Sequence, residues 1–518
     1  MKTKKIYLLS FFIITLSMCI SCDDSFLVTD PTDRIATDKY WQQEKDGILA
    51  TNACYQAFSP IFRLHQFDFE GCSDNACTTQ TWQRGYMVAN GSFNSSWGFV
   101  KDIWTESYNY IRRTNDVIAH VGDIPGMDTG LKNRLKGEAL VIRAMIYNML
   151  TILYGDVPFV TESITIIDDS KKPRESKNTI IESILRDLDE AIGYLPVKYA
   201  NNEELGRITK GAAWAIKARI CLYNGKYTEV KAATQEVMKA AYGYALLPHY
   251  ANLFTYENEM NIEVLLDDQY MPDLRMNSVF ETIGPRSAQG LSNYVPTRSL
   301  IDEYEAGDSR RNANFIMPGD PHPYLDNMTF DPTPGSGSVD EAGHSYYATC
   351  TGYQYKKYVL KEDMTYITRC HINFMLMRYA DVLLMFAEAE NEIGGPSALA
   401  YDAINKVRAR ARGGDNNILP DLQGLSQEQF RQAVRKERRM EFAGESLRYF
   451  DILRWRTAEI VLNGPVQGMD YTELGTGERK TILVEVRKFD TSKNYLWPIP
   501  ESELRLNPEL AGHQNPGY

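Results

Sequence analysis

The sequence predicts a mostly α-helical fold in which closely paired helices carry a large irregular, loop-rich half. Three observations lead there. Long segments place apolar residues on successive helical turns. One such segment folds back on a partner through a glycine turn and a row of alanines. Two long stretches outside these helices are crowded with proline, glycine, asparagine and aromatic residues.

The segment "LKNRLKGEALVIRAMIYNMLTIL", residues 131–153, is apolar on nearly every turn, as a buried helix would be. It stops at "YGD", where Gly155 suits a left-handed C-cap. "NTIIESILRDLDEAIGYL" is a second amphipathic helix, ending at Pro196. The clearest unit is "TKGAAWAIKARICLYNGKYTEVKAATQEVMKAA". Thr209 caps its first helix, Gly225 breaks it and Tyr227 opens the second. Ala212, Ala215, Ala218 and Ala233 let the two approach closely. Small and aromatic positions here (Ala212, Trp214, Ala218, Tyr227) fall where a tetratricopeptide (TPR) pair has them, with Lys217 in place of the usual leucine.

A similar pair recurs at "FMLMRYADVLLMFAEAENEIGGPSALAYDAINKVRARA". Leu376, Tyr379, Leu383 and Phe386 form one core stripe, and Gly394-Gly395 form the turn. One further helix, "SQEQFRQAVRKERRMEFAGESLRYFDILRW", opens with a Ser426/Gln429 capping box. Its arginines read as a solvated face with internal ion pairs, Arg448 and Arg454 flanking Asp451. Trp214 and Trp455 lie on these helices and read as packing residues. The helices thus fall mainly in residues 102–247 and 371–460, and the irregular segments are 59–101 and 248–370. Loop-rich segments of this length are functional or disordered, and disordered ones lack aromatics. These two are therefore expected to fold onto the helices as an aromatic-lined surface.

The net charge of −12 argues against nucleic acid as a partner. At the N-terminus, Lys2, Lys4 and Lys5 precede an apolar run, Ile6 to Leu16, too short to span a bilayer. It reads as a signal peptide, residues 1–21. "CISC" resembles the lipobox of bacterial lipoproteins, with Cys19 where leucine is usual, and marks Cys22 as the lipidated residue. Asp23 and Asp24 resemble an acidic surface-export tract. Of the cysteines after Cys22, only Cys72 and Cys77 are close in sequence, and a disulfide between them is left open. No cysteine or histidine spacing suits zinc. G-x-S-x-G and H-E-x-x-H are absent, "GRITKGAA" lacks a P-loop ending, and Glu388 and Glu390 point in different directions on their helix. The reading is a binding protein without cofactor, metal or catalytic residues. A surface glycosidase using carboxylates distant in sequence is the alternative from the enzyme class.

In order along the chain, "YWQQEKDGILATNACYQAF", "GEALVIRAMIYNMLTILYGDVPFV", "KGAAWAIKARICLYNGKY", "YVPTRSLIDEYEAGDSRR", "LMRYADVLLMFAEAE", "VRKERRMEFAGESLRYFDILRW" and "YLWPIPESELRLNPELAGHQNPGY" resemble a SusD/RagB-family outer-membrane lipoprotein from Cys22 to Tyr518. The resemblance implies a SusD-like superhelix of about four TPR-like helix pairs, with the irregular half binding ligand. It also implies glycan capture at the cell surface and a complex with a SusC-like TonB-dependent transporter facing the TPR side. RagB-type members are associated with peptides, which gives a second ligand class.

A sugar ring offers an apolar C–H face and a fringe of hydroxyls, so it calls for flat aromatic platforms and polar side chains around them. "SDNACTTQTWQRGY" supplies Asp74, Asn75, Trp82, Gln83, Arg84 and Tyr86 together. Trp82 best matches the position of the family's stacking tryptophan. Asn293 and Tyr294, before the "PTRSL" turn, are further candidates. Trp97 stands between packing and ligand contact, and Trp104 reads as core.

Overall fold

The computed structural model describes residues 40–63 and 66–518; the signal segment 1–21, Cys22, Asp23 and Asp24 lie outside the described residues. The chain enters through helix α1 (Glu44–Tyr55), which packs on α2 (Gly98–His120) and α3 (Thr129–Tyr154). Then α4 (Lys177–Tyr194), α5 (Lys210–Tyr223) and α6 (Tyr227–Val237) follow, each laid against its predecessor. α6 meets α7 (Tyr379–Gly394), which packs on α8 (Ala398–Ala411) and α9 (Gln427–Glu441). Neighbour-on-neighbour stacking of this kind is the architecture of a helical-repeat solenoid. The TPR-like scaffold read from the sequence is the one observed.

Local chemistry sets the helix ends where the sequence places them. Asp128 accepts from the Leu131 amide at 2.9 Å to start α3, and Gly155 ends it at φ 74°. Thr209 accepts from the Ala212 amide at 3.1 Å to start α5. Ala212, Ala215, Ala218 and Ala233 are buried, and α5 and α6 pack on each other. Each fully buried Leu or Ile along α3 contributes about 1.5–3 kcal/mol, and Leu135, Leu140, Ile142, Ile146, Leu150 and Leu153 all are buried.

Two helix assignments are corrected. Residues 374–378 form a strand, Phe374–Arg378, antiparallel to Val264–Asp268. Leu376 is therefore on a strand and α7 begins at Tyr379, because the main chain there is committed to its ladder partner. The segment after Ser426 keeps its capping box but is two helices, α9 and α10 (Leu447–Arg454), separated at Gly444 (φ 77°) and Ser446 (φ 62°).

The arginines of α9 are not a solvated face either. Glu437, Arg438, Arg439 and Glu441 are buried. Arg378 reaches Glu263 (3.0 Å), Glu441 (2.5 Å) and Glu445 (2.8 Å). Arg310 joins Asp308 (2.7 Å), Glu437 (2.6 Å) and Glu441 (3.0 Å), and Arg410 bridges Glu263 and Glu441. Arg454 keeps Asp451, as expected, and adds Glu388 at 2.5 Å. Arg448 instead takes Asp74. Buried charges persist only where each has partners, and here α8 and α9 supply them to the irregular half.

That half has few regular elements. Its ladders are short, among them Ala76–Cys77 with Val295–Pro296 and Phe315–Ile316 with Gln354–Tyr355, and the longer hairpin Gly464–Thr472/Arg479–Arg487 follows later in the chain. Most of its aromatics do not face outward as expected. Tyr250, Phe254, Phe280, Tyr294, Tyr304, Phe315, Tyr324, Tyr355 and Tyr358 gather into a core of their own. Loops with little regular structure hold together by the apolar area that such rings bury.

Candidate functional site

The segment 73–77 is fixed from below. Asp74 takes Arg448 at 2.7 and 2.9 Å and Arg439 at 2.9 Å. Burial pushes its carboxyl upward, but the two guanidiniums hold it well below the usual carboxylate range. Asn75 donates to Glu70 at 2.9 Å and accepts from Arg439 at 2.9 Å. Both candidates are thus buried and anchor the loop. Tyr294 is buried likewise. It is 1% exposed, donates to Asp68 at 2.6 Å and accepts from the Gly85 amide at 3.0 Å. A Cβ on Gly71 would stand 2.4 Å from its ring, so the glycine is what admits it.

Above this base the chain surfaces. Gln80 is buried, and its amide donates to the carbonyls of Leu291 (3.0 Å) and Tyr346 (2.7 Å). Gln83 donates to Gln80 Oε1 at 3.0 Å. Trp82, between them, is 54% exposed, and Tyr346 packs edge-on against it with ring centroids 5.6 Å apart at 70°. Tyr346 is 64% and Tyr347 41% exposed, and the Arg286 guanidinium lies 5.8 Å from the Tyr347 ring. Trp82, Gln83 and Arg84 line a cleft of about 360 Å³ together with Ser278, Thr282 and the candidate Tyr294.

The remaining candidates are placed around it. Arg84 is exposed and paired to Asp102 at 2.9 Å. Tyr86 is half-buried on the short helix Arg84–Ala89. Trp97 is half-buried at the start of α2 and donates to the Arg84 carbonyl at 3.1 Å. Asn293 donates its amide N–H to Thr282, while its side-chain Oδ1 is buried without a hydrogen-bond partner. Trp104 is core. Tyr346, Tyr347, Gln80 and Arg286 were not singled out from the sequence. The paired tyrosines after "EAGHS" were the one available signal, two large rings in a stretch too polar to bury them locally.

Other hollows suit a sugar less well. A groove of about 810 Å³ runs along α2, but its rings Trp104 and Tyr108 are buried or half-buried and lean on each other. Ser287 and His322 approach to 2.8 Å, as a nucleophile and base would. However, His322 Nδ1 already accepts from the amides of Tyr324 and Leu325. The neutral ring's proton is therefore on Nε2, donating to Ser287, and cannot take the serine's own. Burial also pushes the His322 pKa down. Among the described residues, no group of His, Cys, Asp and Glu is arranged to hold a metal ion.

Comparison with known proteins places this arrangement. The sequence model of the SusD family matches residues 208–518. The chain belongs to the SusD family. A second model, described as starch-binding associating with outer membrane, matches residues 49–222. SusD-like protein P25 of Formosa agariphila is 27% identical over the full length of both chains. A SusD-like protein of Bacteroides fragilis superposes with a TM-score of 0.81 at 28% identity, covering 95% of this chain and 100% of that one. A laminarin-binding SusD-like protein superposes with a TM-score of 0.73 at 25% identity, covering 92% and 100%. The fold is thus shared with these SusD-like structures along nearly the whole chain. No helix among the described residues is long and apolar enough to cross a membrane.

Proposed function

We propose that this SusD-family chain is a cell-surface lipoprotein, held in the outer membrane through lipid on Cys22, that captures oligo- or polysaccharide in the Trp82 cleft. It hands the glycan to a SusC-like TonB-dependent transporter without cleaving it. The observation that carries the reading is the pair Trp82 and Tyr346, two exposed rings held in one arrangement by the buried amide of Gln80. Rings fixed before binding offer apolar platforms without an ordering cost, and Gln83, Arg84 and Arg286 supply donors at their edge. The starch-binding description of the second family model and the laminarin-binding relative point to the same ligand class.

Affinity electrophoresis against laminarin, starch and a panel of plant, microbial and host polysaccharides tests it, with peptides run in parallel. Retardation by at least one glycan, lost in Trp82→Ala and in Tyr346→Ala, is expected, with no new reducing ends on incubation. Binding to peptides alone would overturn the ligand class, and new reducing ends would overturn the absence of cleavage. Co-purification of a TonB-dependent transporter from solubilised outer membranes tests delivery.

A further inference from the structure

Cys77 and Cys350 bring their sulfurs within 3.8 Å of each other. Cys77 closes the strand Ala76–Cys77, opposite Val295. Cys350 lies in a turn fixed by the Thr349 hydroxyl, which donates to Tyr353 O at 2.7 Å, and by the Thr351 carbonyl, which accepts from Met469 N at 2.7 Å. Cys72 turns instead toward Gly85 O, so the sequence-neighbour pairing with Cys77 is not the one the fold prepares. Among the described cysteines, Cys350 alone is partly exposed and thus open to a reagent.

We propose that Cys77 and Cys350 are joined as a disulfide in the exported protein. The bond staples the loop that leads to Trp82 onto the loop that carries Tyr346 and Tyr347, holding the two rings of the cleft in register.

Cys350 loses its proton and attacks one sulfur of a disulfide-carrying dithiol oxidase, giving a mixed disulfide. The Cys77 thiolate then displaces the carrier, which leaves as a dithiol. One S–S bond forms in the chain, one breaks in the carrier, and two electrons and two protons pass to it. The staple depends on the chain standing outside the reducing cytoplasm, as proposed above, and not on what the cleft binds.

The test maps full-length protein from the outer membranes of the producing cell, denatured and alkylated with iodoacetamide before and after reduction. Expected is one cross-linked peptide containing Cys77 and Cys350, which separates into two alkylated peptides on reduction. Both cysteines alkylated without reduction, in protein recovered from the outer-membrane fraction, would overturn the staple and leave the placement standing. Protein found elsewhere is equilibrated with oxidised glutathione and mapped in the same way, where a reduced pair again overturns it. Oxidised wild type should also melt above Cys350→Ser, and reduced wild type should match the variant. Equal melting of all three would count against a staple.

Discussion

The buried amide of Gln80 donates to the main-chain carbonyl of Tyr346 at 2.7 Å, joining residues 266 positions apart in sequence. An interior side chain thereby sets the position of an exposed ring. Gln80→Ala should weaken glycan binding although Gln80 is itself buried. It leaves two carbonyls short of a donor, which costs about 1–3 kcal/mol of stability. Affinity electrophoresis should show the variant approaching Tyr346→Ala; wild-type retardation would separate Gln80 from the site.

Trp82→Ala should behave as a hot spot, losing about 2 kcal/mol of binding, roughly thirtyfold, with little change in melting temperature. Trp497 is fully buried and donates to the Tyr449 hydroxyl at 2.9 Å. Trp497→Ala should do the reverse, costing about 3–5 kcal/mol of stability while the folded fraction still binds. A Trp82→Ala protein that melts early, or binds as wild type, would place the platform elsewhere.

Asp74 discriminates between anchor and ligand contact. Asp74→Ala leaves Arg439 and Arg448 inside without their shared carboxylate, so urea denaturation should report a loss of about 3–5 kcal/mol. Unchanged stability with reduced affinity would restore Asp74 to the binding surface.

Asp267 makes stability depend on pH. Burial, then the charges of Glu259 and Asp268, raise its carboxyl from 3.8 to about 7, against the hydrogen bonds from Gln269 and Asn373. The folded state therefore holds a proton that the unfolded chain releases near pH 4. The stability from this group is full below about pH 4 and is lost as pH rises through about 7, a change of up to about 4 kcal/mol. Asp267→Asn should flatten the urea midpoint between about pH 4 and pH 7. A variant with the wild-type slope would assign the dependence to another group.

For the anchor, Cys22→Ala should move the protein from the detergent phase to the aqueous phase on partitioning while leaving its melting temperature unchanged. Stable attachment needs more than one acyl chain, and the lipobox cysteine is the proposed bearer of them. Equal partitioning of variant and wild type would rule out this attachment.

The scaffold was legible because its determinants are local. Thr209 caps the turn that follows it, and Ala212, Ala215 and Ala218 recur at helical spacing and are buried. The buried charges were not. Arg438 and Arg439 look like surface residues until Asp381, Asp451, Asp74 and Glu303 arrive from other parts of the chain. Trp82 could be found as a large ring in a polar, irregular stretch. Asp74, Asn75 and Tyr294 share that texture, and only tertiary partners tell anchors from exposed contacts. Tyr346 and Gln80 could not be joined by any local pattern, since their link is one long-range hydrogen bond.

The antiparallel pairing of Val264–Asp268 with Phe374–Arg378 has a consequence for how such a chain can change. Residues 269–373 leave the helical scaffold and return to it through one doorway, so their two ends lie side by side. The stretch between, including Tyr346 and Tyr347, is a cassette. Within it Arg310 is bound to Glu437 and Glu441 of α9 and Thr351 to Met469, so a change of length or sequence is absorbed between those ties, as in the exposed stretch that carries Tyr346, and not at them.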